Sequence, residues 1–490
     1  MLRNGSNTTT GTTGAGASSS ALPNASVTPS LYLKQSADLL RQLKEKKGKN
    51  LEDLSNLLES ICDKFPGTHT NIIHNQHLDE YKLFSKAVVD AIASKYDATS
   101  DQFHKFSQTR EKNNQCVEAT IIQSIAKLRI PMGTQRNSSL GISFKDIMIE
   151  LLARTTRYFH YYPLQNHLTF TLAALTNIDI NFFKSIIKAR TVLDKDQVVN
   201  VPIDSFIQSA VRIIDGKVND WPADTLIRCL HSIIILSAPE HGFANHIAPA
   251  LAKRMLDKIA SCLSATPAIL QNNVSLAQQL FQIRNIYPNE FPPTLSAAIA
   301  PFISVFNANT HGSAFENVML KRLQTAARSL KPTYGALIKD SIFAANNPIC
   351  EALGLESDIT YEDGFIKTCI QVDGDKYHKY AGSKETTQKT LLRDHCFKQD
   401  NWELINLTDG NSTYSTVEQF LIDAVIMPSF EARVATTLDT ISAYQKMDDS
   451  ALLALSDIES HREKLRRLQE NIFMLKKHTL SYATYQVILN

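Results

Sequence analysis

Leucine and isoleucine recur three and four residues apart along most of the chain, the spacing of helices that bury one face. Leu33, Leu39, Leu40 and Leu43, a basic break from Lys44 to Lys49, then Leu51, Leu54, Leu57, Leu58 and Ile61 predict a helical hairpin within residues 31–96. A polar stretch from about Asp97 to Asn114 separates it from a longer helical region, 115–345. There one apolar phrase returns with offsets 0, +4 and +7: Ile121, Ile125, Leu128; Leu168, Leu172, Leu175; Leu226, Leu230, Ile233; and Leu276, Leu280, Ile283. Its starts lie 47, 58 and 50 residues apart, and second helical stretches are expected at Phe182 to Lys188 and Ile247 to Cys262. Two architectures fit this spacing, a solenoid of helical pairs and a single α-domain of amphipathic helices. Both make residues 115–310 α.

After Leu353 the period shortens. Asp358 to Tyr361, the turn pair Asp363-Gly364 and Phe365 to Val372 predict a β-hairpin, because β-branched and aromatic residues flank a dipeptide suited to positive φ. Lys389 to Lys398 follows as a helix, with Leu392 and Cys396 on its buried side. Thr386 or Thr387 caps its start, and Asn401 stops it. Trp402 to Leu407 is a third strand, and EQFLIDAVI a closing helix of a module spanning 354–428. Residues 431–490 return to helical spacing, with a stripe of Leu465, Leu468, Ile472 and Leu475. The expected fold class is mainly α: a helical-pair, solenoid-like array, then a small α/β module, then a C-terminal helical tail.

Composition narrows the function. The 51 Lys and Arg against 49 Asp and Glu leave a net charge of +2, which excludes a polybasic protein of the histone kind, so any nucleic-acid surface is local. Lys321 and Arg328, seven apart on one helical face beside Arg322 and Lys331 and ahead of a stop at Pro332, are candidate phosphate contacts; the plain alternative is a solvated face. The seven cysteines include no C-x-x-C pair, which argues against a disulfide framework or zinc ribbon and for a reducing, intracellular compartment. No run reaches the roughly 18 apolar residues of a membrane span, so no membrane partner is expected. Residues 1–30 are rich in Ser, Thr, Gly and Asn with Arg3 as their one charge, and are expected to form a disordered leader. Such a start is permissive of a transit peptide, so the cytoplasm and the mitochondrial matrix both stay open.

The C-terminal block carries a resemblance. CIQVDGDKYH, then KTLLRDHCFKQDNWELINL, then EQFLIDAVI resembles the RAP domain, an RNA-binding domain abundant in apicomplexans. The matching positions are Val372, Asp373, Gly374, His378, Thr390, Leu392, Arg393, Trp402 and Ile405. The resemblance implies a restriction-endonuclease-like fold placed behind helical repeats, as in FAST-kinase-like and octotricopeptide proteins. It also implies RNA as partner, with roles in RNA processing, stability or translation, and leaves protein partners a place on the helical array.

Within that reading Lys389 and Arg393 are candidate RNA contacts beside Lys321 and Arg328. Arg393 is expected to be exposed if Leu392 is buried. Trp402 is read as core rather than as a stacking platform. No cofactor is expected unless the module cleaves RNA. The spacing V-D-G-x-x-x-H is similar to that of very-short-patch-repair endonucleases, which would make Asp373 a Mg²⁺ ligand and His378 the general base. Gln371 stands where related members often carry Glu, so Asp358 or Asp363 would have to supply the second carboxylate. Asp373 closing a turn and His378 as a hydrogen-bonded loop residue are the scaffold alternatives.

Overall fold

The computed structural model describes residues 28–45, 51–64, 78–95, 116–133, 144–161, 165–178, 191–194, 197–200, 203–237, 247–309, 314–334, 343–345, 348–350, 354–372, 386–407, 417–429, 431–432, 435–436 and 439. The expected leader, the helix at 182–188, the segment holding Asp373, Gly374 and His378, and the stripe of the C-terminal tail lie outside the described residues. The chain divides into two compact units, Met1–Met148 and Ile149–Asn490. No described helix is long and apolar enough to cross a membrane.

The first unit holds α1 (Pro29–Glu45), α2 (Leu51–Lys64), α3 (Leu78–Lys95) and α4 (Val117–Lys127). The expected hairpin of α1 with α2 is not the main pairing: α1 lies chiefly against α3, and α2 against α4. The reason is surface area. Helix α3 buries Tyr81, Phe84, Val88, Val89 and Ile92, a broader apolar front than α2 presents. Polar groups close the gaps, with Tyr32 Oη donating to the Ile61 carbonyl at 2.9 Å. The Tyr81 phenol shares its proton between the carbonyls of Leu128 and Arg129 at 2.6 and 2.7 Å.

Helix α5 (Phe144–Tyr161) runs across the division between the units. In the second unit come α6 (Gln165–Leu175), strands β1 (Thr191–Asp194) and β2 (Gln197–Asn200), α7 (Ile203–Lys217), α8 (Ala223–Leu236), α9 (Pro249–Ala265), α10 (Ala268–Asn272), α11 (Val274–Ile286), α12 (Pro293–Ile299) and α13 (Phe302–Asn309). The β1–β2 hairpin, in register Thr191 to Asn200 through Asp194 to Gln197, corrects the all-α expectation for 115–310. Val192, Val198 and Val199 are the β-branched residues of its two four-residue strands, a signal of strand pairing too brief to interrupt the helical pattern. Helix α8 packs on α6, α9 and α11. From Thr225 to Ser237 every residue but Arg228 is buried, which makes α8 a core helix rather than a one-faced surface helix. The recurring phrase is the buried side of its helices: Leu168, Leu172, Leu226, Leu230, Ile233, Leu280 and Ile283 are all inaccessible to solvent.

The C-terminal part begins with α14 (Ala314–Tyr334), which runs two residues past Pro332 instead of stopping there. Then follow β3 (Phe343–Ala345), β4 (Pro348–Cys350), β5 (Leu355–Glu356), β6 (Ile359–Glu362), β7 (Lys367–Gln371), α15 (Gln388–Gln399), β8 (Glu403–Asn406) and α16 (Val417–Leu421). A wider helical turn, Ile422–Ile426, extends α16. The expected strand, strand, helix, strand order is present, in a mixed sheet ordered β3-β6-β7-β8 with β3 added at one edge. β3, β6 and β7 are antiparallel neighbours, while β8 lies parallel to β7, as a helical crossover through α15 requires.

Alternation assigns the two faces of the sheet. Ile359, Tyr361, Ile370 and Val372 join Leu323 and Ala326 of α14 and Phe420, Leu421 and Val425 of the α16 segment in one apolar cluster. Thr360, Cys369 and Gln371 point the other way, towards α15. That helix starts at Thr387, whose Oγ1 accepts the Thr390 N–H at 3.3 Å, and ends with Asn401 in the left-handed region at φ 61°. The Trp402 N–H then returns to the Phe397 carbonyl at 3.0 Å, so both ends of α15 follow the expected capping. Thr387→Ala is expected to lower stability by about 1 kcal/mol, read as a reduced urea midpoint.

Candidate nucleic-acid interface

Helix α15 is the element that joins the sheet to the helices before it, since it packs on β8 and also on α8 and α11. Lys389, in its first turn, is exposed and donates from Nζ to Asn177 Oδ1, just beyond α6, at 2.8 Å. Beneath it, His231 of α8 donates from Nε2 to Gln282 Oε1 of α11. Burial pushes the His231 imidazole down to about 4, Gln282 opposes that shift, and the Lys389 ammonium adds to it. The ring is therefore neutral in the fold.

This neutrality has a pH signature. The unfolded chain takes up a proton near pH 6.5 and the folded chain only near 4, so His231 leaves stability untouched above pH 6.5 and lowers it progressively from 6.5 down to 4. The loss approaches roughly 3 kcal/mol at the acid end. Urea midpoints at pH 7.5 and 5.0 check it, with the pH dependence expected to flatten in His231→Gln.

Arg393 departs from its expected exposure. Its side chain is 16% accessible, and Nε and one terminal nitrogen lie 3.2 and 3.1 Å from Asp394 Oδ1. Leu392 is buried as expected, but α15 is covered on more than that stripe, because the sheet takes one side and α8 and α11 another. Position along a helix gives the phase of a side chain and not the number of neighbours around the helix. Arg393 thus sits largely covered on α15, within electrostatic reach of the Cys369 thiol, which burial pushes up to about 11.

Lys321, Arg322, Arg328 and Lys331 are exposed on α14, whose opposite side, Leu323, Ala326 and Ala327, is in the sheet core. Since α14 and α15 cover opposite faces of the sheet, the four predicted contacts do not form one patch. Lys389 belongs to the α15 side, and Lys321 and Arg328 to the α14 side.

At the end of β7, Asp358 Oδ2 accepts the Val372 N–H at 2.7 Å, tying the start of β6 to the residue that precedes Asp373. Gln371 is fully buried; its Nε2 donates to Cys369 Sγ at 3.0 Å, and that thiol lies 3.1 Å from Ser357 Oγ. Asp363 sits at the other end of the hairpin. Its Oδ1 accepts the N–H groups of Phe365 and Ile366 at 2.9 and 3.1 Å, and its Oδ2 the hydroxyls of Tyr361, at 3.0 Å, and Ser429. Of the two acids considered as partners for Asp373, Asp363 therefore lies at the end of the hairpin away from Val372. Asp358 lies at the Val372 end and is already engaged. Among the described residues no three His, Cys, Asp or Glu side chains group to hold a metal ion, and Gln371 offers an amide in place of a carboxylate; Asp373 and His378 lie outside the described residues.

Trp402 is core, as expected: it is 4% exposed and its Nε1–H donates to Asp400 Oδ2 at 3.2 Å. Lys367 lies over its ring, with Nζ 5.5 Å from the centroid, a cross-strand contact that no spacing along the chain foretells. No protein-family model matches the chain, and a search of the curated proteins finds no match.

Proposed function

We propose that this chain is an RNA-binding protein of RNA processing, stability or translation, with a RAP-like, restriction-endonuclease-like module set against a helical array. The observation that carries this reading is the seating of α15. Its capped start bears Thr390 and its buried side Leu392; it leads into the strand of Trp402 and Ile405, and it rests on α8 and α11, two helices of the recurring phrase. That seating brings the Lys389 ammonium to the surface where module and helices meet. Single-stranded RNA crossing this line meets Lys389 first, and Lys321 and Arg328 where it passes round the sheet to α14.

Ultraviolet crosslinking of the full chain in cells, followed by sequencing of what is recovered, tests the proposal. Discrete RNA targets are expected, and their yield should fall in Lys389→Glu while Asn177→Ala, which keeps the ammonium, leaves it unchanged. Recovery of a stable protein partner with no RNA above background would replace this reading with that of an interaction scaffold built on the array.

A further inference from the structure

At the end of the sheet away from Val372 lies a cleft of about 390 Å³. The strand register builds it. Glu362 and Lys367 are the last cross-strand pair before the β6–β7 turn, and Glu403 stands opposite Thr368 at the start of parallel β8. Asn401, left-handed, swings the chain out of α15 into that strand. The turn is held by the Asp363 carboxylate and by Gly364 at φ 89°, and it carries Phe365, which keeps 43% of its surface exposed.

Three kinds of chemistry line this one cleft. Phe365 supplies an aromatic face. Glu362 and Glu403 supply hydrogen-bond acceptors, and Asn401 an amide. Lys367, steadied over the Trp402 ring, supplies a cation. Desolvation by the surrounding protein raises the Glu403 carboxyl above its ordinary value, and a ligand that donates hydrogen bonds to it favours the carboxylate. A basic peptide would suit the two acids but would meet Lys367 beside them. A nucleotide engages all three kinds: its base stacks on Phe365, its amino edge meets a glutamate and its phosphate meets Lys367.

We infer that this cleft receives one unstacked base of a single-stranded RNA and selects guanine over uracil. Guanine presents N–H groups side by side on its Watson–Crick edge, which a carboxylate accepts as a pair; uracil presents one N–H between two carbonyls that a carboxylate repels. The inference rests on the RNA-binding reading, so its test separates the two.

The full chain is titrated with a uridine-only oligonucleotide, with the same oligonucleotide carrying guanines, and by NMR with guanosine and uridine monophosphates. Tighter binding of the guanine-bearing RNA is expected, with Phe365→Ala weakening it about tenfold. The double variant Glu362→Gln, Glu403→Gln should erase the preference while keeping the wild-type melting temperature. RNA binding that shows no guanine preference, or that is the same in all these variants, would overturn the cleft and leave the RNA reading standing. Guanosine monophosphate binding that depends on Phe365 and the glutamates, with no RNA bound, would keep the cleft as a nucleotide site and remove the RNA reading. An arginine-rich peptide binding through the two glutamates, with neither nucleotide bound, would overturn the cleft assignment in favour of a protein ligand.

Discussion

Gly354→Ala is expected to lower the stability of the second unit by about 2–4 kcal/mol, from left-handed strain and overpacking together. Gly354 leads into β5 at φ 60°, a conformation that costs an L-residue roughly 1–2 kcal/mol. A Cβ built there would lie within 2.6 Å of three ring carbons of Phe281, a fully buried side chain of α11. The ring has little room to yield, since the Arg284 guanidinium lies 4.8 Å from its centroid and α8 packs against the same helix. Gly364→Ala is the control. Its φ of 89° is also positive, but nothing lies within 4 Å of the added methyl, so only the backbone strain is paid. Urea denaturation of both variants checks this; equal losses would mean that β5 does not press on Phe281 as described.

The second large effect is at Asp363. Its buried carboxylate accepts from two backbone N–H groups and two hydroxyls, drawing together the hairpin turn, β6 and the segment beyond α16. Asp363→Ala leaves those donors without an acceptor inside the module, a loss of roughly 3 kcal/mol or more. Asp363→Asn keeps one oxygen for the two N–H groups and should cost about 1 kcal/mol, as should Ser429→Ala. Equilibrium unfolding would rank the three. A loss in Asp363→Ala no larger than in Ser429→Ala would show the turn bonds to be dispensable.

What could be read from the sequence was whatever one segment decides by itself. The phrase at 0, +4, +7 gave the helices because burial of a single face needs no partner to be specified, and Gly364, Thr387 and Asn401 gave their turns and caps because each acts within a few residues. Choices between partners were not legible. Helix α1 has a stripe that suits α2 and α3 alike, and the larger apolar front of α3 decides. β3, β4 and β5 hold three, three and two residues, too few to display a period. The candidate site divides in the same way. Lys321, Arg328 and Lys389 are exposed as their helical positions suggest, but that α14 and α15 cover opposite faces of the sheet is a fact of topology. The inward turn of Arg393 comes from a second layer of neighbours that no spacing records.

The measurement closest to the central claim is the affinity of the full chain for single-stranded RNA across a range of salt concentrations. Each neutralised phosphate contributes a slope of about −0.7 in log affinity against log salt. Lys321, Arg328 and Lys389 together therefore contribute about −2 to the slope. Lys389→Ala should reduce it by one contact, and the Lys321→Ala, Arg328→Ala pair by two. Affinity that does not change with salt, or that is unaltered when all three cations are removed, would contradict the account.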